Sequence, residues 1–235
     1  MTRREPLADR LVEYLTAERV ALESIMAQES SRALHQEFLL AEGGTLPDRQ
    51  ARLERIRAVG ARAWLRHLAA ALQAEWPGAP EGMQGKLELW MGRGHDRLGA
   101  LELDEDAALE REGISGDADA DRRRVTLGAY VRLFAEGVGE IAAPDGRTGP
   151  EFGREITAIM RREAPQRRAV EKAAFEAWSG SPMEGVLEQA RTTAAPPEPD
   201  IVRIFEAAGV WSYIRVVCVA LGEALEPAQP VADGA

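Results

Sequence analysis

Apolar residues recur at every third or fourth position along most of this chain, and no run alternates with the period of two that a half-buried strand requires. That pattern confines the fold to packed helices. Over residues 6–41, Leu11, Leu15, Leu22, Ile25, Met26, Ala33 and Leu40 share one face, with a break expected near Gln28–Ser31 and an end at Gly43-Gly44. Thr45, Pro47 and Asp48 are suited to the cap and first turn of the next helix, whose apolar face is Leu53, Ile56, Ala63, Trp64, Leu68 and Ala71. Trp76-Pro77-Gly78 ends it, and Pro80 opens a third segment weakened by Gly85, Gly92 and Gly94.

Further along, Leu127, Tyr130, Val131, Phe134, Val138 and Ile141 line one side of a helix, with Glu136 and Glu140 placed opposite, before a turn at Pro144-Asp145-Gly146. Phe152, Ile156, Ile159 and Met160 predict a short helix that stops before Pro165. A second is expected over 169–178 and a third over 182–190. With 235 residues and 45% hydrophobic composition, one sizeable core is within reach. The expectation is an all-α fold: a single irregular helical bundle of about six to eight helices. In domain terms, 1–191 is the bundle, 192–199 a Pro-rich linker, 200–225 a buried C-terminal helix of the same domain and 226–235 a mobile tail.

Charge is distributed unevenly. The net charge is −10, and residues 101–121 hold nine acids against one base, so this segment alone carries −8. Its Asp repeats, with Gly113 and Gly116, predict an acidic mid-chain loop. The nearly balanced remainder argues against attraction of the whole chain to nucleic acid or an anionic membrane. On the second helix, Arg52, Arg55, Arg62 and Arg66 form a cationic arc opposite the apolar face. The acidic segment, through Asp104, Glu105, Asp106, Asp117, Asp119 and Asp121, is expected to compete with a partner protein for that arc.

Other signals reach less far. Glu18 and Glu29 fall within the first apolar stripe and His67 within the second. The repeated Glu-x-x-His of di-iron bundles is missing, however, and three turns separate the two glutamates by about 16 Å. Asp117, Asp119 and Asp121 match the opening of an EF-hand loop, but Arg122 stands where Gly is needed and Gly128 where Glu is needed. Arg62-x4-His67 resembles the Arg-x4-6-His element of HEPN ribonucleases over six residues. That resemblance would imply an RNA-cleaving centre made by two subunits, whereas an exposed basic face is the plainer use of the arginines. Trp64, Trp90 and Trp211 could line a cavity for a planar apolar ligand.

The segment 208–221 is apolar almost all round, so it belongs at the centre of the bundle or in the interface of a homo-oligomer formed through 200–225. Cys218 is the one cysteine, which fits a reducing cytoplasm, and the N-terminus lacks the pattern of a signal peptide. No phosphate loop, dinucleotide fingerprint, nucleophile elbow or zinc motif is found. The leading expectation is therefore a non-catalytic interaction protein (an adaptor, chaperone-like or inhibitory subunit) with no metal or cofactor. A helical sensor of an apolar small molecule comes second and a carboxylate-based metal enzyme third.

Overall fold

The structure, a computed structural model, describes residues 5–17, 64–111, 118–192 and 199–226. Among these residues the chain is all α, with no strand. The helices are α1 (Leu7–Ala17), α2 (64–75), α3 (Met83–Arg93), α4 (Leu98–Arg111), α5 (Ala118–Ala142), α6 (Gly149–Ser179), α7 (Met183–Thr192) and α8 (Pro199–Leu225). A 3₁₀ turn, Gly94–Arg97, joins α3 to α4, and another, Pro144–Gly146, joins α5 to α6 at the turn expected from Pro144-Asp145-Gly146.

Packing runs as a succession. α3 and α4 lie on α5, α5 lies on α6, α6 on α8, and α8 on α1. Every residue from Gly128 to Gly139 is buried, so this stretch of α5 is enclosed on all sides. The apolar segment 208–221 is the one expected there, or else in a subunit interface. There α8 is also deeply covered, through Ile214, Val216, Val217, Cys218, Ala220 and Leu221, but Arg215 and Glu223 reach solvent. Phe134 and Phe152 anchor the main core with almost no exposure, each burial being worth roughly 1.5–3 kcal/mol. A smaller cluster forms where Phe175 and Ala174 of α6 meet Met183 of α7 and Ala208 of α8, and Trp211 packs against both clusters.

Glycine sets the closest crossing. A Cβ on Gly139 would fall 2.8 Å from the Gly149 Cα, and one on Gly153 would fall 2.6 Å from the Glu136 Cγ. These absent side chains let α5 and α6 approach almost backbone to backbone.

Three expectations are corrected. The acidic mid-chain segment is not a loop through most of its length: Glu102 to Arg111 belong to α4, and α5 begins at Ala118. The run of helix-forming Leu, Ala and Glu over Leu98–Arg111, with Leu98, Leu101 and Ala108 buried, outweighs the repulsion among its acids. Pro165 does not end a helix but lies exposed inside the 31-residue α6, because buried side chains on both flanks hold the helix in register. Glu136 does not face solvent but is 1% exposed.

Several expectations lie outside the described residues: the break near Gln28–Ser31, the helix start at Thr45 and the linker over 193–198. The tail beyond 226 does too. No helix among the described residues is long and apolar enough to cross a membrane.

Candidate functional site

Leu98, Leu101 and Ala108 form the inward stripe of α4, at spacings of three and seven residues. The remaining place in that stripe belongs to Glu105, which is 5% exposed. A carboxylate buried so deeply requires compensating charge. Arg161 of α6 donates from Nη2 to the Glu105 Oε2 at 2.7 Å. Arg132 of α5 approaches Oε1 with Nη1 at 3.7 Å.

Arg132 is itself shared. Its Nη2 lies 3.2 Å from the Asp104 Oδ2, and its Nε lies 3.6 Å from the Glu136 Oε1 one turn on. Arg97, from the 3₁₀ turn, completes the group with Nη2 at 2.7 Å from the Glu136 Oε2. Gly128 leaves the space that the Glu105 carboxylate uses, since a Cβ there would stand 3.3 Å from Oε2.

Three guanidinium groups thus face three carboxylates from α4, α5, α6 and the 3₁₀ turn. Glu105 Oε1, Arg132 Nε and Glu136 Oε2 have no aligned hydrogen bond, so proximity of charge rather than directed bonding holds them. The cluster is neutral in sum and each member faces a partner within it. It offers a cation no surplus of carboxylate, and among the described residues no group of three or more His, Cys, Asp and Glu is arranged to hold a metal. Its chemistry is that of a register pin: it fixes how α4 sits on α5 and α6. Burial raises the Tyr213 hydroxyl well above the ordinary tyrosine range, and the Glu105 charge adds to that shift.

Beside this cluster, α3 presents a groove of about 210 Å³ lined by Lys86, Leu89, Trp90, Arg93 and Ile141. Leu89 is 63% exposed there. Trp90 donates its indole N–H to the Leu133 carbonyl at 3.0 Å, and Arg97 lies 5.9 Å from its ring. A second groove of about 550 Å³, on the other side of Leu89, is lined by Leu65, Arg66, Ala69, Gly85, Leu87, Glu88, Met91 and Phe134 as well.

The residues singled out from sequence are dispersed. Asp104 and Glu105 join the buried cluster, while Asp106 stays exposed on α4. Asp119 and Asp121 lie in α5, helical rather than in a calcium-type loop, and Asp117 lies outside the described residues. Arg66 is exposed; Arg52, Arg55, Arg62, Glu18 and Glu29 lie outside the described residues, and His67 is half-buried. The tryptophans do not line a common cavity. Trp64 is sealed in the main core, Trp211 lies between the two clusters, and Trp90 alone borders a groove.

Sequence reasoning missed Arg97, Arg132, Glu136 and Arg161. The signal for one of them was present: Glu136 falls inside a run with almost no other charged residue. Comparison with known protein families, with curated proteins and with solved structures finds no match to this chain.

Proposed function

We propose that this chain is a non-catalytic helical interaction protein of the cytoplasm, an adaptor, chaperone-like or inhibitory subunit, and that the outward face of α4 meets its partner. One observation carries this reading. Leu103 stands 73% exposed in the middle of that face, with Glu102, Asp106 and Glu110 around it, while Glu105 pins the opposite face to the body. A bulky apolar side chain on a firmly held helix, rimmed by one sign of charge, combines an anchor with orientation for a protein surface.

The six charged groups of the cluster are engaged with one another, which supports a structural use of them over catalysis. The lone Cys218 thiol, buried in α8, supports a reducing compartment. In this reading Asp106 remains open to a basic partner, whereas Asp104 and Glu105 are held by Arg132.

Purification of the tagged chain from its native host tests the proposal. A stoichiometric partner is expected with the wild type and is expected to be lost with Leu103→Arg. A partner retained by that variant, or a wild-type chain that brings down neither another protein nor an untagged copy of itself, overturns it.

A further inference from the structure

We infer that the groove on α3 receives the acidic face of α4 from a second copy of this chain. The inference rests on the reading of the α4 face as a contact surface and names what that face meets.

Lys86, Leu89, Trp90 and Arg93 fall at i, i+3, i+4 and i+7, the spacing by which one helix offers a single face to another. Ile141 from the end of α5 forms the opposite wall. The floor is set in advance. Trp90 is fixed by its bond to the Leu133 carbonyl, and it lies so close over Gly137 that a Cβ there would be 2.5 Å from its Cδ1. A floor fixed before docking has little side-chain freedom left to lose.

The charge of the groove sets its occupant. Lys86 and Arg93 stand at its two ends, and Lys86 Nζ donates only to a backbone carbonyl, that of Glu81, at 3.0 Å. In a chain of net charge −10, an apolar strip between two cations calls for carboxylates beside one bulky apolar side chain. α4 carries that arrangement. Leu103 projects into solvent, with Asp106 and Glu110 one and two turns beyond it. About 210 Å³ accommodates a leucine side chain. With Leu103 in the groove, Asp106 lies within reach of Arg93 or Lys86. Leu89 and Leu103 are the two large apolar side chains exposed among the described residues.

Each chain carries one groove and one α4 face, so two copies either pair both reciprocally in a closed two-fold dimer or pair one of each and add further copies head-to-tail. A contact of two short helices also belongs at the weak end of the range of interfaces.

Sedimentation velocity of the full chain over two decades of concentration tests this. The wild type is expected to self-associate, to a dimer or beyond, as concentration rises. Leu89→Arg and Leu103→Arg, both at exposed positions and checked for helicity by circular dichroism, are each expected to associate at least tenfold more weakly. Mixed in equal amounts they retain one intact groove and one intact α4 face, and are expected to form a complex that stops at two chains. A closed dimer that either variant still forms overturns the proposal, as does a mixture that fails to associate. A wild type that stays monomeric, binding instead an acidic helical peptide or anionic vesicles through the groove, overturns it too. That last result leaves the reading of the α4 face to its own test, because co-purification of a Leu103-dependent partner does not require self-association.

Discussion

Arg161 on α6 and Glu105 on α4 are joined by a 2.7 Å charged hydrogen bond at a position where the stripe of α4 calls for an apolar side chain. Around that bond, Arg132 reaches Asp104, Glu105 and Glu136 from α5. An apolar residue at position 105 would leave α4 free to slide along α5 by a turn at small cost. The carboxylate permits one register, because only there does it meet both guanidinium groups.

Glu105→Ala should therefore destabilise the fold by ~2–4 kcal/mol, since it removes the buried carboxylate that Arg132 and Arg161 share. Glu105→Leu combined with Arg161→Met, which leaves Arg132 beside Asp104 and Glu136, should restore most of that loss. Urea unfolding of both variants checks the claim. A double variant no more stable than Glu105→Ala would show that the cluster stabilises the fold outright instead of setting register.

The glycines of neighbouring helices should respond in opposite directions. Gly139→Ala forces a Cβ to within 2.8 Å of the Gly149 Cα and 2.9 Å of the Phe152 Cβ, with no flexible tip to give way. A loss of ~2–3 kcal/mol is expected, the upper range for overpacking. Gly85 and Gly92 sit in α3 with open space where a Cβ would go. Alanine at either should add ~0.5–1 kcal/mol by restricting the unfolded chain. Thermal melts of the three single variants measure both directions.

The helical class was legible because the stripes that specify it, such as Leu98, Leu101 and Ala108 or Met83, Leu87 and Met91, are local in sequence. The turn at Pro144–Gly146 was legible for the same reason. What escaped depends on neighbours distant in the chain. Glu136 shares a helix with Arg132 but is buried by Gly149, Gly153 and Arg97, none of which its own helix specifies. The acids of 101–111 read as a loop when counted as charge, yet one of them points inward to arginines 27 and 56 residues away. Pro165 read as a stop because propensity is local, whereas the two clusters that hold α6 straight through it lie on either side of it. Of the proposed contact surface, Asp106 was picked out by charge and Leu103 was not, although it falls off the stripe of Leu98, Leu101 and Ala108.

Acid should weaken the start of α6. Glu151 accepts hydrogen bonds from the Thr148 backbone N–H at 2.9 Å and from its hydroxyl at 2.8 Å. These bonds hold the carboxyl below its ordinary value of 4.5. A lowered native pKa means the contribution is present above the unfolded value and is lost as pH falls through the native one. The wild-type melting temperature should drop more steeply than that of Glu151→Gln between about pH 5 and pH 3. Parallel curves would show that the cap adds no pH-dependent stability.

Cys218 should resist thiol reagents in the native state. Burial in α8 pushes its thiol up to about 12, with Arg215 lowering it only in part. Little thiolate forms at about pH 8, and the sulfur has no path to solvent. Labelling by a disulfide reagent should be slower by at least two orders of magnitude than in denaturant. Fast labelling of the folded chain would mean that the α6–α8 contact opens readily.

Pro165→Ala should stabilise the protein. Proline has no N–H to give the Arg161 carbonyl, and its ring crowds that carbonyl one turn back, at a usual cost of about 3 kcal/mol within a helix. The residue is exposed, so alanine removes no core contact. Its flanks are fixed independently, by Ile156, Ile159 and Met160 in the main core and by Ala174 and Phe175 in the smaller cluster. A gain of ~1–3 kcal/mol in urea unfolding is expected. A loss instead would mean that the backbone geometry proline imposes is what allows one helix to serve both clusters. The Arg161–Glu105 bond, one turn before the proline, would then weaken with it, and a double-mutant cycle between Pro165→Ala and Glu105→Ala would read that coupling directly.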